Sequence, residues 1–163
     1  MNRRYTTEQF EIGIKLLRNA YTDVALTTDV IVGFPGETDE EFNTTYEFLK
    51  RVKFYKMHIF KYSQRKGTRA AVMPNQIDGN VKEERSRKLI ELSDKNEKEY
   101  NERYIGREVE VLFEEPHVEN GKGYMKGHTT NYRVVKLETN ENLENKMKNV
   151  KIIGLDGLEL IGS

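Results

Sequence analysis

A glycine-rich turn near residue 35 is the first place where this chain could hold a small ligand. The run at 24–32 is rich in β-branched residues, which predicts a fully buried strand. The strand ends at Gly33, Pro35 and Gly36, and glycines let a backbone turn tightly or approach a ligand closely. Ligands of α/β folds bind at the carboxyl ends of strands. The alternative is a strand–helix turn with only a structural role.

A second group of residues alternates basic and aromatic side chains in the last third of the chain. Cations bind phosphates, and stacking of a base on an aromatic ring contributes about 1–3 kcal/mol. The group consists of Lys122, Tyr124, Lys126, His128, Asn131, Tyr132 and Arg133. The span 105–163 holds eight Lys/Arg and ten Asp/Glu, a net charge of −2. The alternative is therefore the neutral, solvated face of a small barrel.

The other ionisable residues show neither a metal site nor a nucleophile–base pair. His58, His117 and His128 lack the spacing of metal ligands, and the chain contains no cysteine. A disulfide framework is therefore excluded. Arg3 and Arg4 could pair with a carboxylate, and the alternative is solvated charge at a chain end.

The segments around the glycine turn predict an α/β unit. Thr6 or Thr7 caps a first helix, and Thr38 with Glu41 has the spacing of a capping box. The predicted elements are a helix ending near residue 20, the strand at 24–32, a helix at 39–52 and a strand at 57–62. A crossover of this length implies a parallel, right-handed βαβ unit.

One βαβ unit cannot close a barrel. The strand at 24–32 would therefore present an unpaired, apolar edge, which favours pairing with another chain. We expect the isolated chain to associate with itself through this open sheet edge.

The second half of the chain predicts a connecting helix and then a small β domain. The segment 81–104 is strongly charged, with a thin apolar face that includes Leu89 and Leu92. From residue 107 apolar residues alternate with glutamates, which indicates half-buried strands. Short strands are predicted at 107–114, 121–128, 132–137, 149–154 and 158–161. These strands predict a small antiparallel, OB-like barrel, with domains at 1–80, 81–104 as the connecting helix, and 105–163.

Four segments resemble the radical-SAM methylthiotransferases. DVIVGFPGETDEEF at 29–42 looks like the GFPGET segment of these enzymes, and MNRRYT at 1–6 resembles their M-x-R-x-Y-T segment. YSQRKGT at 62–68 resembles their Y-S-x-R-x-G-T loop. MPNQI at 73–77 most resembles the branch that acts on threonylcarbamoyladenosine in tRNA. The span 105–163 resembles the TRAM domain, an OB-like β-barrel that binds tRNA in this family.

The resemblance implies a partial (β/α) barrel that binds S-adenosylmethionine and acts on tRNA. The implied cofactor-binding residues are Arg3, Ile31, Gly33, Pro35, Gly36, Glu37, Tyr62, Ser63 and Arg65. Glu37 would accept hydrogen bonds from ligand hydroxyls or fix the turn. The implied RNA-binding residues are Lys122, Tyr124, Lys126, His128, Tyr132 and Arg133. The family replaces a C–H of a modified adenosine adjacent to the anticodon with a methylthio group.

The absence of cysteine departs from the family pattern. The family carries a C-x-x-x-C-x-x-C motif and further cysteines for iron–sulfur clusters, whose usual ligands are thiolates. We therefore interpret the chain as the carboxy-terminal part of such an enzyme, inactive by itself, with no catalytic residue of its own. The alternatives are a free-standing TRAM-type RNA-binding module and the branch that modifies a ribosomal protein.

Composition favours a cytoplasmic protein with no membrane partner. The 163 residues are 36% hydrophobic and 33% charged, with a net charge of zero. No apolar run approaches the roughly 20 residues of a membrane span, and no secretory leader is evident. Any RNA-binding face must be a local patch, because the whole chain has no excess of cations.

Overall fold

The computed structural model of the chain describes residues 4–163. It folds as two compact units, Met1–Asn96 and Glu97–Ser163, which divide within one long helix. The predicted domain boundaries at 80 and 104 stay predictions. Arg3 lies outside the described residues. None of the helices in the described part of the chain is long and apolar enough to cross a membrane.

The first unit has the predicted order of helices and strands. The elements are α1 Thr7–Ala20, β1 Thr27–Val32, α2 Asp39–Val52, β2 Lys56–Lys61, a short 3-10 helix Arg69–Val72 and α3 Gly79–Glu102. Thr6 and Thr38 start α1 and α2 with capping boxes, closed by Gln9 and Glu41. Each box satisfies backbone N–H groups that the first helical turn leaves unpaired. Strands β1 and β2 are parallel, as the crossover predicts.

The core of the first unit lies between the two-stranded sheet and the helices. It contains Ile14, Val30, Val32, Phe42, Leu49, Val52, Phe54, Met57, Leu89 and Leu92. The prediction of a fully buried strand at 24–32 is wrong. Strand β1 begins at Thr27, and its side chains alternate, with Asp29 and Ile31 exposed. A strand side chain is buried only where an element covers its face, and among the described residues the core covers the face with Val30 and Val32.

The second unit is a closed five-stranded barrel. Its strands are β3 Glu108–Glu119, β4 Lys122–Thr129, β5 Val134–Glu138, β6 Lys146–Asp156 and β7 Glu159–Gly162. The order around the barrel is β3-β4-β5-β7-β6, and β6 pairs again with β3. Its interior is filled by Val111, Phe113, Met125, Val135, Leu137, Val150, Ile152 and Leu160.

One pairing departs from the predicted antiparallel, OB-like barrel. Strands β5 and β7 are parallel, with Val135 opposite Leu160. A closed ring with an odd number of strands cannot alternate direction at every step, so at least one neighbouring pair must be parallel. The hairpin from β6 brings β7 beside β5 and completes the ring.

Strand β3 contains a bulge next to its closest approach to β4. The register passes from Phe113 opposite Gly127 to Glu115 opposite Lys126, which leaves Glu114 without a partner in the ladder. A Cβ atom on Gly127 would lie 2.7 Å from the Phe113 Cα atom and closer still to the Leu112 carbonyl oxygen. Only glycine fits here, because the obstructing atoms belong to the backbone of β3.

Gly127→Ala tests this close approach. We expect the substitution to destabilise the barrel by about 3 kcal/mol, because backbone atoms of β3 must move to admit the methyl group. Gly154→Ala in β6 is the matched control, since a Cβ atom there meets nothing within 4 Å. Urea unfolding followed by the barrel amide signals in NMR measures both. Equal stability of the two variants would contradict the close approach.

Candidate functional site

The two loops that carry the predicted cofactor residues leave the same end of the parallel pair. Val32 and Lys61 end β1 and β2 and are register partners. The Tyr62 N–H donates a hydrogen bond of 2.9 Å to the Val32 carbonyl oxygen. The Phe34 and Tyr62 rings meet edge to face, with centroids 5.3 Å apart. The glycine turn and the loop after β2 therefore lie side by side.

The Glu37 carboxylate closes the glycine turn. Its Oε2 atom accepts hydrogen bonds from the Gly33 N–H, at 2.7 Å, and from the Arg85 Nη1 atom, at 2.6 Å. Arg85 also donates to the Glu37 carbonyl oxygen at 3.1 Å and to the Asp39 carboxylate at 2.6 Å. We call Glu37, Asp39 and Arg85 the turn clamp. It ties the turn and the start of α2 to α3.

The clamp places a guanidinium in the interior of the first unit. The Arg85 side chain is 6% exposed and that of Glu37 is 15% exposed. Burial opposes the charge on Arg85, but hydrogen bonds to Asp39 and Glu37 outweigh this effect and raise the pKa of the guanidinium. The guanidinium also lies 5.4 Å from the centroid of the Phe42 ring. The cation therefore stays charged and holds the two carboxylates together.

The two glycines of the turn have different surroundings. Gly33 is buried, and a Cβ atom there would lie 2.8 Å from the Lys82 Cδ atom. Lys82 passes over Gly33 and donates from Nζ to the Tyr62 carbonyl oxygen at 3.3 Å. Gly36 is exposed, has a φ of 85°, and a Cβ atom there would meet nothing within 4 Å. The Gly36 N–H donates to the Asn75 carbonyl oxygen at 2.9 Å, so Gly36 offers a ligand open space beside its Cα atom rather than a free N–H.

The predicted cofactor residues divide into exposed and supporting groups. Ile31, Gly36, Ser63 and Arg65 are exposed, Gly33 and Pro35 are buried, and Glu37 and Tyr62 are half-buried. The exposed group could form one wall of a binding site. The buried group shapes the turn, so Gly33 supports the site by packing rather than by approaching a ligand.

The predicted basic and aromatic residues of the barrel follow the expected alternation. Lys122, Tyr124, Lys126 and His128 point outward from β4, while Met125, Gly127 and Thr129 are buried. We call the outer surface of β4 and β5 the basic strip. The alternation places cations and aromatic rings on one face, as the two-residue period of a strand requires.

Each lysine of the basic strip has a carboxylate partner. Lys122 pairs with Glu138 at 2.9 Å, and Lys126 pairs with Glu159 at 2.7 Å. The first pair is exposed, so exchanging its carboxylate for another anion costs little. The strip is therefore locally neutral, and phosphate would have to replace these carboxylates.

Lys136 forms the most enclosed ion pairs of the strip. Its side chain is 5% exposed and contacts Asp156 at 2.8 Å as well as Glu119. Hydrogen bonds to Asp156 and Glu119 raise the pKa of Lys136. The Lys136 hydrogen bond lowers the pKa of Asp156 below its ordinary value of 3.8. The ammonium also lies 4.6 Å from the centroid of the Tyr124 ring, so Lys136 anchors this face.

Arg133 does not lie on the surface, where the prediction of RNA binding would place it. Arg133 is fully buried, with its guanidinium 4.3 Å from the Tyr100 ring centroid and 3.8 Å from that of Tyr104. Nη1 donates to the Asn131 side-chain oxygen at 2.8 Å. A guanidinium stacks well on aromatic faces. Within the second unit, Arg133 therefore packs the end of α3 against the barrel and is not available to RNA.

No group of three or more His, Asp or Glu side chains within residues 4–163 is arranged to hold a metal ion. The chain also contains no cysteine, so it offers no thiolate to an iron–sulfur cluster. The residues of this chain do not fit such a cluster.

Comparisons with known proteins match this chain to radical-SAM enzymes and to tRNA methylthiotransferases. The Radical SAM superfamily model matches residues 1–49. The threonylcarbamoyladenosine tRNA methylthiotransferase MtaB of Bacillus subtilis is 46% identical over 154 residues, which are 94% of this chain and 34% of that protein. A tRNA-2-methylthio-N(6)-dimethylallyladenosine synthase of Acetivibrio thermocellus is 40% identical over 163 residues, which are 100% of this chain and 34% of that protein.

The chain belongs to the radical-SAM tRNA methylthiotransferase family. It spans about a third of the length of these relatives, at 34% for both. A third relative, from Clostridium beijerinckii, bears the same synthase name and is 41% identical over 99% of this chain and 35% of that protein. The similarity therefore covers both compact units of the chain.

The sequence did not single out Arg85, the buried cation at the glycine turn. Arg85 lies four residues before Leu89 and seven before Leu92, on the apolar face of α3. A cation at such a position needs a buried partner, which was the available signal. The sequence could not name that partner, because Glu37 lies 48 residues away.

Arg85→Met tests the turn clamp. We expect a loss of about 3 kcal/mol, because the change leaves the half-buried Glu37 carboxylate without its cation. Arg87→Met is the matched control, since Arg87 forms an exposed pair with Glu91 on the same helix and should change stability by less than about 0.5 kcal/mol. Urea unfolding measures both. Equal effects would show that the buried cation does not stabilise the turn.

Lys136→Met tests the anchored ion pairs through their pH dependence. The depressed pKa of Asp156 contributes stability above its ordinary value of 3.8, and this contribution is lost as pH falls through the lowered value. Lys136 itself stays charged throughout that range. We expect the variant to be less stable at about pH 7, with the difference shrinking towards about pH 3.

Urea unfolding of the wild type and Lys136→Met across that pH range measures this difference. Lys151→Met, at an exposed position on β6, is the control and should show no pH-dependent difference. A constant difference for Lys136→Met would contradict the assigned coupling to Asp156.

Proposed function

We propose that this chain is the carboxy-terminal part of an enzyme that methylthiolates a modified adenosine adjacent to the tRNA anticodon. The observation that carries the proposal is similarity to enzymes named for that chemistry over 94% and 100% of this chain. The threonylcarbamoyladenosine branch is our preferred assignment, supported by 46% identity to MtaB and by the segment at 73–77. We propose the cytoplasm as its location, with tRNA and no membrane as partner.

The first unit would contribute one wall of the S-adenosylmethionine site. The exposed residues Ile31, Gly36, Ser63 and Arg65 have the surroundings to contact a ligand, while the turn clamp holds the loop that carries Gly36. These residues would hold S-adenosylmethionine, of which one molecule would supply the hydrogen-abstracting radical and another the methyl group of the product. Arg3, Gly33, Pro35, Glu37 and Tyr62 complete the proposed set. Glu37 acts by positioning Gly33, because its carboxylate already binds that N–H.

The cluster chemistry must come from outside this chain. Iron–sulfur clusters need thiolate ligands, and the sequence has no cysteine. We therefore propose that the isolated chain is inactive. The unpaired edge of β1 would pair with further chain in the complete partial barrel, or with a second copy when the chain is alone.

The second unit would be an OB-like TRAM barrel that holds tRNA. Support comes from the closed ring of five strands and from the basic strip, since OB-folds bind oligonucleotides on this kind of surface. The proposed contacts are Lys122, Tyr124, Lys126, His128 and Tyr132. Arg133 is left out because it is buried.

Two other functions make different predictions. A free-standing RNA-binding module would bind RNA equally well but would not restore S-adenosylmethionine cleavage when joined to a cysteine-bearing amino-terminal part. The ribosomal-protein branch would bind its protein substrate in preference to tRNA, which a competition assay detects. The names of the relatives favour tRNA over both alternatives.

The proposed RNA contacts can be tested with the whole chain and an anticodon stem-loop RNA. We expect the affinity to fall with salt, because bound lysines release counterions from phosphates. Replacing Lys122 and Lys126 together by Gln should reduce the slope of log K against log salt by about two, roughly one for each cation. Fluorescence anisotropy across a salt series measures this slope.

Lys151→Gln is the control, since Lys151 is exposed on the barrel but lies outside the basic strip. Its salt slope should match that of the wild type. Binding that is insensitive to salt, or an unchanged slope in the double variant, would contradict the assignment of the strip.

A further inference from the structure

The outer surface of the barrel also carries a small cleft across β4, β3 and β6. Leu112 forms its floor, and the register places His128 on one side and Met147 on the other. Its volume is about 250 Å³, and Glu110, Glu114 and Tyr132 complete its lining. We call this the barrel cleft. Its floor is apolar and its walls are aromatic and acidic, which suits a flat, uncharged ring rather than a phosphate.

Tyr132 is held in a strained conformation at the mouth of the cleft. It is 81% exposed and has a φ of 63°, in the left-handed region that bulky residues rarely adopt. Its N–H donates to the Thr129 carbonyl oxygen at 2.9 Å, and its ring lies 5.5 Å from that of His128. The left-handed φ belongs to the last residue of the three-residue loop 130–132 between β4 and β5, which the Thr129 N–H closes by donating to the Arg133 carbonyl oxygen at 3.0 Å. The loop therefore holds the Tyr132 ring at the mouth of the cleft, where a ligand can stack on it.

A bulge directs Glu114 into the same cleft. Glu114 is the residue of β3 that lacks a ladder partner, and bulges re-aim side chains near functional sites. Its carboxylate contacts the Nδ1 atom of His128. An ionised carboxylate has about four acceptor sites, so this one contact leaves others for a ligand. Glu110 adds a second carboxylate on the same face. The cleft therefore suits a ring that donates hydrogen bonds.

The size of the cleft limits what it can hold. Pockets for drug-sized ligands have volumes of about 300–1,000 Å³, so 250 Å³ suits a single ring system. The two carboxylates disfavour a phosphate, while Leu112, Met147 and the aromatic pair provide stacking surface. An unpaired nucleobase has the required flat faces and polar edge.

We propose that the barrel cleft binds one unpaired nucleobase with an exocyclic amino group, stacked against Tyr132 and hydrogen-bonded to Glu114. This inference rests on the proposed RNA-binding function and adds a base preference to it. Adenine and cytosine carry an amino group beside a ring acceptor. Uracil lacks one, and its two carbonyl oxygens face repulsion from the carboxylates. The cleft therefore favours adenine and cytosine over uracil.

The test uses the whole chain and fluorescein-labelled single-stranded oligo(A), oligo(C) and oligo(U) of equal length at low salt. We expect oligo(A) and oligo(C) to bind about fivefold or more tightly than oligo(U), from the discrimination of a good base contact. Equal affinities of all three oligonucleotides would overturn the base preference. Fluorescence anisotropy gives the dissociation constants.

Tyr132→Gly separates the stacking role from a role in folding. Glycine adopts a positive φ without strain, so the variant should fold at least as well as the wild type. It should bind all three oligonucleotides about fivefold or more weakly, because a stacking face is lost. Asn145→Gly is the matched control, since Asn145 also has a positive φ, of 58°, and does not line the cleft. Its binding should match the wild type.

Glu114→Gln tests the hydrogen-bonding role. Removing one negative charge should tighten binding of every oligonucleotide equally if Glu114 acts only through long-range repulsion. The proposal predicts instead that the preference for oligo(A) and oligo(C) over oligo(U) falls towards one, because an amide both donates and accepts. An unchanged preference would overturn the role of Glu114.

The outcomes separate this inference from the proposed function. If the wild type binds none of the RNAs, the proposed RNA-binding function fails and the cleft proposal fails with it. If the wild type binds RNA and both Tyr132→Gly and Glu114→Gln bind as it does, RNA binding stands and the cleft proposal is wrong. Loss of binding in Tyr132→Gly together with loss of base preference in Glu114→Gln supports it.

Discussion

The organisation of the first unit depends on the ion pairs of the buried Arg85 guanidinium. The guanidinium binds the carboxylates of Glu37 and Asp39, and Glu37 in turn holds the Gly33 N–H. A buried cation is costly unless carboxylates neutralise it, so the three residues must stay together whenever the unit is folded. The glycine turn is therefore fixed before any ligand arrives. That fixed turn leaves Gly36 exposed, with open space beside its Cα atom, as a preformed binding wall requires.

The barrel uses its cations in two ways. Arg133 is stacked on Tyr100 and Tyr104 in the interior, where it joins the end of α3 to the strands. Lys136 lies on the outer face but is covered by its carboxylate partners. Neither can meet a phosphate without being pulled from its partners. Cations counted from the sequence therefore overstate the charge that RNA would meet, and recognition must depend on local shape and stacking as well as charge.

Local shape in the barrel follows from its closure. Five strands in a ring require one parallel pair, and the bulge at Glu114 bends β3 where Gly127 lets the two backbones come close. The same bulge turns a carboxylate towards His128. Constraints that close the barrel thus also shape the surface that we propose for a nucleobase.

The sequence by itself determined the elements whose causes are local. Thr38 and Glu41 specify the start of α2 through a capping box, and alternation along β4 specifies which side chains point outward, because both depend on residues a few positions apart. Only the tertiary structure decided the roles of Glu37 and Arg133. Glu37 binds a residue 48 positions away, and Arg133 is buried by tyrosines from another element. The fold determines ionic and aromatic partners of this kind, and they cannot be inferred from the spacing of residues along the chain.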